Sequence, residues 1–250
     1  RRETTARIRD HLGLGESQAR ELAKASFRHS ACAFLELFHA RSMDYRFLAE
    51  RVEYDNPELF ARMCSSPRPI VGVTGHLGSW ELLGGVLKCF TSKTDCQVVV
   101  RLPKDPDLSD LLMHMRSQSK IRVLPHRDAA VSALGQLRGG GLSAFLVDHN
   151  CKQAEAMFLP FLGEIAAVNK GPAILALRAK AEVWPFFLIR LPQGRFRAVT
   201  LPPLDTGSLE GGRAERIEQI CRFYTAAVEE VVLRYPEQWF WMHRRWKTRP

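Results

Sequence analysis

Pro69-Ile70-Val71-Gly72-Val73-Thr74-Gly75-His76-Leu77-Gly78-Ser79-Trp80-Glu81 carries the reading of the whole chain. Its first six residues form a short apolar run of the kind that fills a buried strand. Gly75 and Gly78 then permit a tight turn and a close approach of substrate to backbone. A helix is predicted over 79–90. The turn therefore presents His76 and Glu81 near the start of one helix. There a histidine can take a proton from a hydroxyl, and a carboxylate can fix the ring and stabilise the imidazolium. The stretch holds no serine or cysteine in a nucleophile elbow, so direct attack by an acceptor hydroxyl fits better than a covalent enzyme intermediate. Taken alone, the His-x4-Glu spacing is common, and a capping histidine with a surface glutamate satisfies it equally.

Outward from this turn, strands alternate with helices. Strands are predicted at 96–101, 122–124, 142–147, 157–161, 183–190 and 196–201. Helices are predicted at 108–119, 129–138, 171–181 and 212–235, with Gly139-Gly140-Gly141 as a stop between helix and strand. Asn56-Pro57-Glu58 reads as a further helix start, with Asn56 as the cap. The pattern predicts a single α/β domain over 1–250 with a mixed, largely parallel central sheet flanked by helices. Ligands of such sheets sit beyond the carboxyl ends of the strands, where His76, Arg101 and Asp148 all fall.

Residues 1–45 read as an N-terminal helical region. Over 17–41, Phe27, Ala31, Phe34, Leu35 and Phe38 make one apolar stripe between Arg20, Lys24, Arg28 and Arg41. A helix packed on the domain and one resting partly on a membrane are both open. The chain starts at Arg1 rather than methionine, and a membrane anchor upstream of it is expected.

A chain of 250 residues with 46% apolar content buries a substantial core, and its net charge of +9 suggests anionic partners. Nucleic acid is disfavoured by the lack of any helix-turn-helix, zinc or RNP-like signature. The six cysteines show no CxxC and no paired spacing, which argues against a disulfide framework or zinc ribbon and fits a reducing compartment. No metal constellation is visible, and the proton chemistry needs neither metal nor cofactor.

Further motifs follow in order: Val99-Val100-Arg101-Leu102-Pro103, Val147-Asp148-His149-Asn150, Phe161-Leu162-Gly163, Gly171-Pro172-Ala173 running to Leu175-Ala176-Leu177-Arg178, Pro236-Glu237-Gln238-Trp239, and His243-Arg244-Arg245-Trp246-Lys247-Thr248-Arg249-Pro250. Together with Gly75-His76-Leu77-Gly78-Ser79-Trp80-Glu81, this series resembles the lauroyl/myristoyl acyltransferases of lipid A biosynthesis, within the lysophospholipid acyltransferase-like superfamily. The resemblance runs from about Ser17 onward. It implies a glycerolipid acyltransferase-like fold and transfer of a fatty acyl chain from acyl carrier protein to a hydroxyl of a lipid A precursor. It also implies work at the cytoplasmic face of the bacterial inner membrane, with an anionic leaflet as a further partner.

By the same resemblance, His76 is the general base and Glu81 its orienting partner. Arg101 is the candidate to stabilise the thioester oxyanion or hold a substrate phosphate, or else a solvated strand-end arginine. Asp148 positions a substrate hydroxyl or Arg101, or caps a loop. Asn150 is a weaker substrate-binding candidate. Arg244, Arg245 and Lys247 are candidates for contact with phosphate, membrane or acyl carrier protein. Trp239, Trp241 and Trp246 suit a membrane–water interface, or, for Trp239 and Trp241, the core. Leu82, Leu83 and Val86 are candidates to line an acyl groove. Other acceptors, such as another glycolipid or a lysophospholipid, stay open, as does a non-catalytic lipid-binding protein of the same fold.

Overall fold

The computed structural model describes residues 1–250 apart from 39–43, 94, 101, 119–120 and 127–128, and apart from the side chain of Tyr45. Among the described residues the chain runs through α1 (Arg2–Leu12), α2 (Glu16–Glu36), α3 (Tyr45–Arg51), β1 (Val52–Tyr54), α4 (Pro57–Ser65) and β2 (Ile70–Thr74). A 3₁₀ turn at Trp80–Leu82 leads into α5 (Leu83–Phe90), then β3 (Cys96–Val100), α6 (Pro106–Ser117), β4 (Arg122–Pro125), α7 (Ala129–Arg138) and β5 (Leu142–Leu146). The chain continues through β6 (Ala156–Phe161), β7 (Glu164–Asn169), α8 (Gly171–Ala179), β8 (Glu182–Arg190), β9 (Phe196–Thr200), β10 (Leu204–Asp205) and α9 (Arg213–Arg234).

One sheet organises the molecule, in the order β1-β9-β8-β2-β5-β3-β4, with β10 pairing β8. From β8 to β4 every neighbour is parallel, while β9 and β10 run antiparallel to β8. The expected mixed, largely parallel sheet flanked by helices is what forms. Its strands are apolar on both faces because helices cover both. Along β2, Val71 and Val73 join the larger core with α1, α7, α8 and α9. Ile70 faces the smaller core built from α3, α4 and α5.

Local chemistry explains most boundaries. Asn56 caps α4 by accepting from the Leu59 amide, and Asp105 caps α6 through the Leu108 amide. The second strand of the β6–β7 hairpin was not anticipated. Its turn, Leu162-Gly163, holds both residues at positive φ, the geometry that suits a two-residue hairpin. The N-terminal stripe forms a helix only to Glu36; Arg41, expected within it, lies outside the described residues. No helix among the described residues is long and apolar enough to cross a membrane.

Candidate active site

The site grows from the register of two adjacent parallel strands. Thr74 of β2 pairs with Leu146 of β5, so His76 and Asp148 each lie two residues beyond a matched pair, at the carboxyl edge of the sheet. His76 Nδ1 lies 2.8 Å from Asp148 Oδ1, and the His76 amide donates to Asp148 Oδ2 at 2.7 Å. The Trp239 indole N–H donates to the same Oδ2 at 2.9 Å. An ionised carboxylate can only accept, so Nδ1 carries the proton and Nε2 is left as the basic nitrogen.

Gly75 and Gly78 permit this turn for different reasons. A Cβ on Gly75 would stand 3.1 Å from Asp148 Oδ2, closing the approach of the carboxylate. Gly78 holds φ +63°, and a Cβ there would collide with the Leu188 carbonyl oxygen. The loop is clamped from outside by the C-terminal segment. Gly78 N–H donates to the Gln238 carbonyl, Ser79 N–H to the Leu188 carbonyl, and Phe240 N–H to the His76 carbonyl. Gln238 in turn pairs its amide with both backbone groups of Arg190, and Ser26 of α2 donates to the Trp239 carbonyl.

Burial works against a charge on both members of the pair, yet each holds the other charged. Burial pulls His76 down, but the charge and hydrogen bond of Asp148 outweigh it and Glu81 adds to them, so its pKa is raised. Burial pushes Asp148 up, but His76 overrides it, with smaller help from His243 and the Trp239 hydrogen bond, and holds it well below the usual carboxylate range.

Glu81 stands differently from expectation. The carboxylate bonded to His76 is Asp148, and Glu81 is turned onto Arg116 of α6, with Nε–Oε2 at 2.9 Å and Nη2–Oε1 at 2.6 Å. The first turn of its helix is 3₁₀, which carries Glu81 toward α6, while Asp148 already fills the Nδ1 side of the ring. Arg116 had no signal in the sequence, since it lies in a helix with no motif around it. Asp148, expected to position a substrate hydroxyl or Arg101 or to cap a loop, holds the histidine. Arg101 lies outside the described residues.

Asn150 does not face the site. Its side-chain amide donates to Thr248 Oγ1 at 2.9 Å and its Oδ1 accepts from the Thr248 amide at 3.1 Å, pinning the C-terminal segment. Arg245 is a correction: it is 1% exposed, donates to the carbonyls of His149 and Ala167, and lies over the Phe161 ring. A surface contact is closed to it because its guanidinium satisfies buried carbonyls. Arg244 and Lys247, on either side, are exposed.

The three tryptophans are core residues, with Trp239 and Trp241 1% exposed and Trp246 7%. Trp239 packs edge-on against Trp241, and Trp246 stacks on His11 of α1 at 3.7 Å. Their place in the core overturns the membrane-interface alternative.

Beside His76 lies an apolar cavity of about 310 Å³. Gly72, Thr74, Ala144, Leu146, Val98 and Val100 of three strands form its floor, and Leu83, Gly84 and Leu87 of the α5 helix cover it. It exists because the registered row Gly72–Ala144–Val98 puts two small residues at the centre of the sheet. His149, Phe240, His243 and the Glu81–Arg116 pair complete its wall. Of the residues expected to line an acyl groove, Leu83 lines this cavity; Leu82 and Val86 are packed into the core instead. Among the described residues no three His, Cys, Asp or Glu side chains are grouped to hold a metal ion.

The model of the bacterial lipid A biosynthesis acyltransferases matches residues 11–248, a span that holds the whole of this site. The chain belongs to that family. Its members are named for acyl transfer, and this chain is an acyltransferase by that membership. It is 30% identical to the lipid A biosynthesis lauroyltransferase of Escherichia coli (strain K12) over 59% of its own length, and that match spans only 47% of the relative. It is 23% identical to the lipid A biosynthesis palmitoleoyltransferase of the same organism, over 100% of this chain and 80% of the other. Among solved structures, the 1-acyl-sn-glycerophosphate acyltransferase PlsC of Thermotoga maritima matches with a TM-score of 0.42 and 14% identity, over 85% of this chain and 82% of that one.

Proposed function

We propose that the chain transfers a fatty acyl group from an acyl carrier protein thioester to a hydroxyl of a lipid A precursor, with His76 as general base and no covalent enzyme intermediate. The observation that carries this reading is the His76–Asp148 pair at the edge of an apolar cavity. Asp148 fixes the tautomer, so Nε2 can take the proton of the acceptor hydroxyl as it attacks the thioester carbonyl. Glu81 contributes a second carboxylate whose charge favours the imidazolium, opposed by its partner Arg116.

The cavity is largely apolar along its floor and roof, and His76 is among the residues that line it. That is the form an acyl chain needs if its carbonyl is to lie at His76 and its tail away from water. On the outer surface, Phe34, Leu35 and Phe38 are exposed near Arg28, and Phe34 packs edge-on against Trp80 and Phe240 at the site. This supports contact of that face with an anionic membrane at the cytoplasmic side of the inner membrane, where a lipid acceptor would be presented.

The test is acyl transfer from a panel of acyl carrier protein thioesters to a lipid A precursor in detergent, read by mass spectrometry. A mass gain of one acyl chain is expected with the wild type and is expected to vanish in a folded His76→Ala variant. Retained transfer in that variant would remove His76 as the base. Transfer to other glycolipids or lysophospholipids alone would move the acceptor and leave the chemistry standing.

A further inference from the structure

Two side chains that line the cavity beside His76 carry buried polar atoms without a hydrogen-bond partner among the described residues. They are Thr74, at Oγ1, and His243, at both ring nitrogens. A buried polar group left unpaired is costly, so two such side chains lining one cavity ask for a ligand. Thr74 is 7% exposed and shares its sheet face with Gly72, two residues before the base. His243 is set by a turn of the C-terminal segment, whose carbonyl accepts from Arg7 at 3.3 Å. Its ring lies along Phe240 and edge-on to Trp239. Nothing in that aromatic packing uses a nitrogen.

We infer that His243, with Thr74 of the same cavity, is the donor that receives the carbonyl oxygen of the acyl thioester. This inference rests on the acyl-transfer reading above. The His76 and His243 ring centroids stand 6.1 Å apart. That gap is too wide for a bond between the rings. It suits an attacking hydroxyl within reach of one ring and a carbonyl oxygen within reach of the other. Burial draws His243 down to about 3 against the opposing pull of Asp148, so the ring is neutral near pH 7 and donates through one nitrogen.

The step balances without any further reagent. The acceptor oxygen forms its bond to the thioester carbon while its proton passes to His76 Nε2. The carbonyl π pair moves onto oxygen, where His243 N–H and Thr74 O–H hold it. Collapse restores the carbonyl and breaks the carbon–sulfur bond, and the imidazolium proton goes to the departing thiolate.

The experiment compares wild type, His243→Phe and Thr74→Val in two measurements. One is kcat, KM and Tm in the transfer assay. The other is the infrared stretch of a ¹³C-labelled carbonyl in a bound acyl-pantetheine thioester, without acceptor. Expected are a lowered carbonyl frequency in the wild type that returns toward the free value in His243→Phe, and a kcat fall of about 10²–10³-fold for that variant. Donor KM should change little, and Tm should hold or rise in both variants because an unpaired group has been removed. A merely structural role would lower Tm and leave the carbonyl shift intact, and either finding overturns the inference, as does an unchanged kcat. A wild type that neither transfers nor binds the thioester takes down the acyl-transfer reading, and this inference with it.

Discussion

His76 and Asp148 are joined side chain to side chain and backbone to side chain, at 2.8 and 2.7 Å, across two parallel strands separated by 72 positions in the chain. The second bond matters as much as the first. It fixes the backbone of the turn to the carboxylate, so the ring cannot drift without breaking both. Asp148→Asn is therefore expected to lower kcat by about 10²–10⁴-fold with little loss of fold. The pH profile gives the sign. A base must be neutral to act, so kcat/KM should rise with pH through the raised pKa of His76. Removing the charge of Asp148 should move that limb to lower pH while the plateau falls. A limb that stays in place would remove Asp148 as the cause of the shift.

Glu81 and Arg116 make a separate prediction because both are largely buried, with side chains 6% and 17% exposed. Breaking such a pair from one side leaves an uncompensated charge, at a cost of about 3–5 kcal/mol. Glu81→Gln should thus lower Tm strongly, and Glu81→Gln with Arg116→Met should restore much of it. The effect of Glu81→Gln on kcat, corrected for folded fraction, should be smaller than that of Asp148→Asn, since among the described residues it is Asp148 that bonds the ring. Chemical denaturation with active-site titration separates the two effects. The reverse ranking would return to Glu81 the leading role expected from its spacing.

The contrast between these two carboxylates shows what the sequence could and could not disclose. The strand-turn-helix around His76 was legible because apolar run, glycines and histidine are contiguous. The strand register is a long-range property, so nothing near Glu81 announced that Asp148 would reach the ring first. Arg116 was invisible for the same reason: its partner lies 35 residues away on another helix. The tryptophans and Arg245 show the opposite limit. A run of basic and aromatic residues reads as surface by composition, yet in Arg244-Arg245-Trp246-Lys247 the middle two are buried and the outer two exposed, and only packing tells which. The short strands β1, β7 and β10 were missed because strands this brief, or separated by two turn residues, carry little periodic signal.

That inward turn of Arg245 can be tested against its neighbours. Arg245→Met removes the donor to the carbonyls of His149 and Ala167 and should destabilise the fold, since each buried carbonyl left unpaired costs about 1–3 kcal/mol. Vesicle binding of the folded fraction should be unchanged. Arg244→Glu with Lys247→Glu should do the converse, weakening binding to anionic vesicles with no change in Tm. Sedimentation with vesicles of defined anionic content, beside a thermal melt, reads both. If Arg245→Met alone abolished vesicle binding without lowering Tm, its assignment to the interior would fail in solution.

The small residues under the cavity set the last prediction. Gly72 and Ala144 are paired in register, and a Cβ on Gly72 would lie 3.6 Å from the Ala144 Cβ, an ordinary contact. Gly72→Ala therefore fits without strain and takes room from the cavity alone. Ala144→Leu takes more, from the same row. If the acyl tail lies over this row, each methylene shut out loses about 0.8 kcal/mol of burial, or about fourfold in kcat/KM. The donor profile should then shift toward shorter chains, modestly for Gly72→Ala and further for Ala144→Leu, while short donors keep wild-type rates. Competition among thioesters of graded length in one reaction, read by product mass, measures the shift directly. A uniform fall in rate at every length, with the preferred chain unchanged, would place the tail elsewhere.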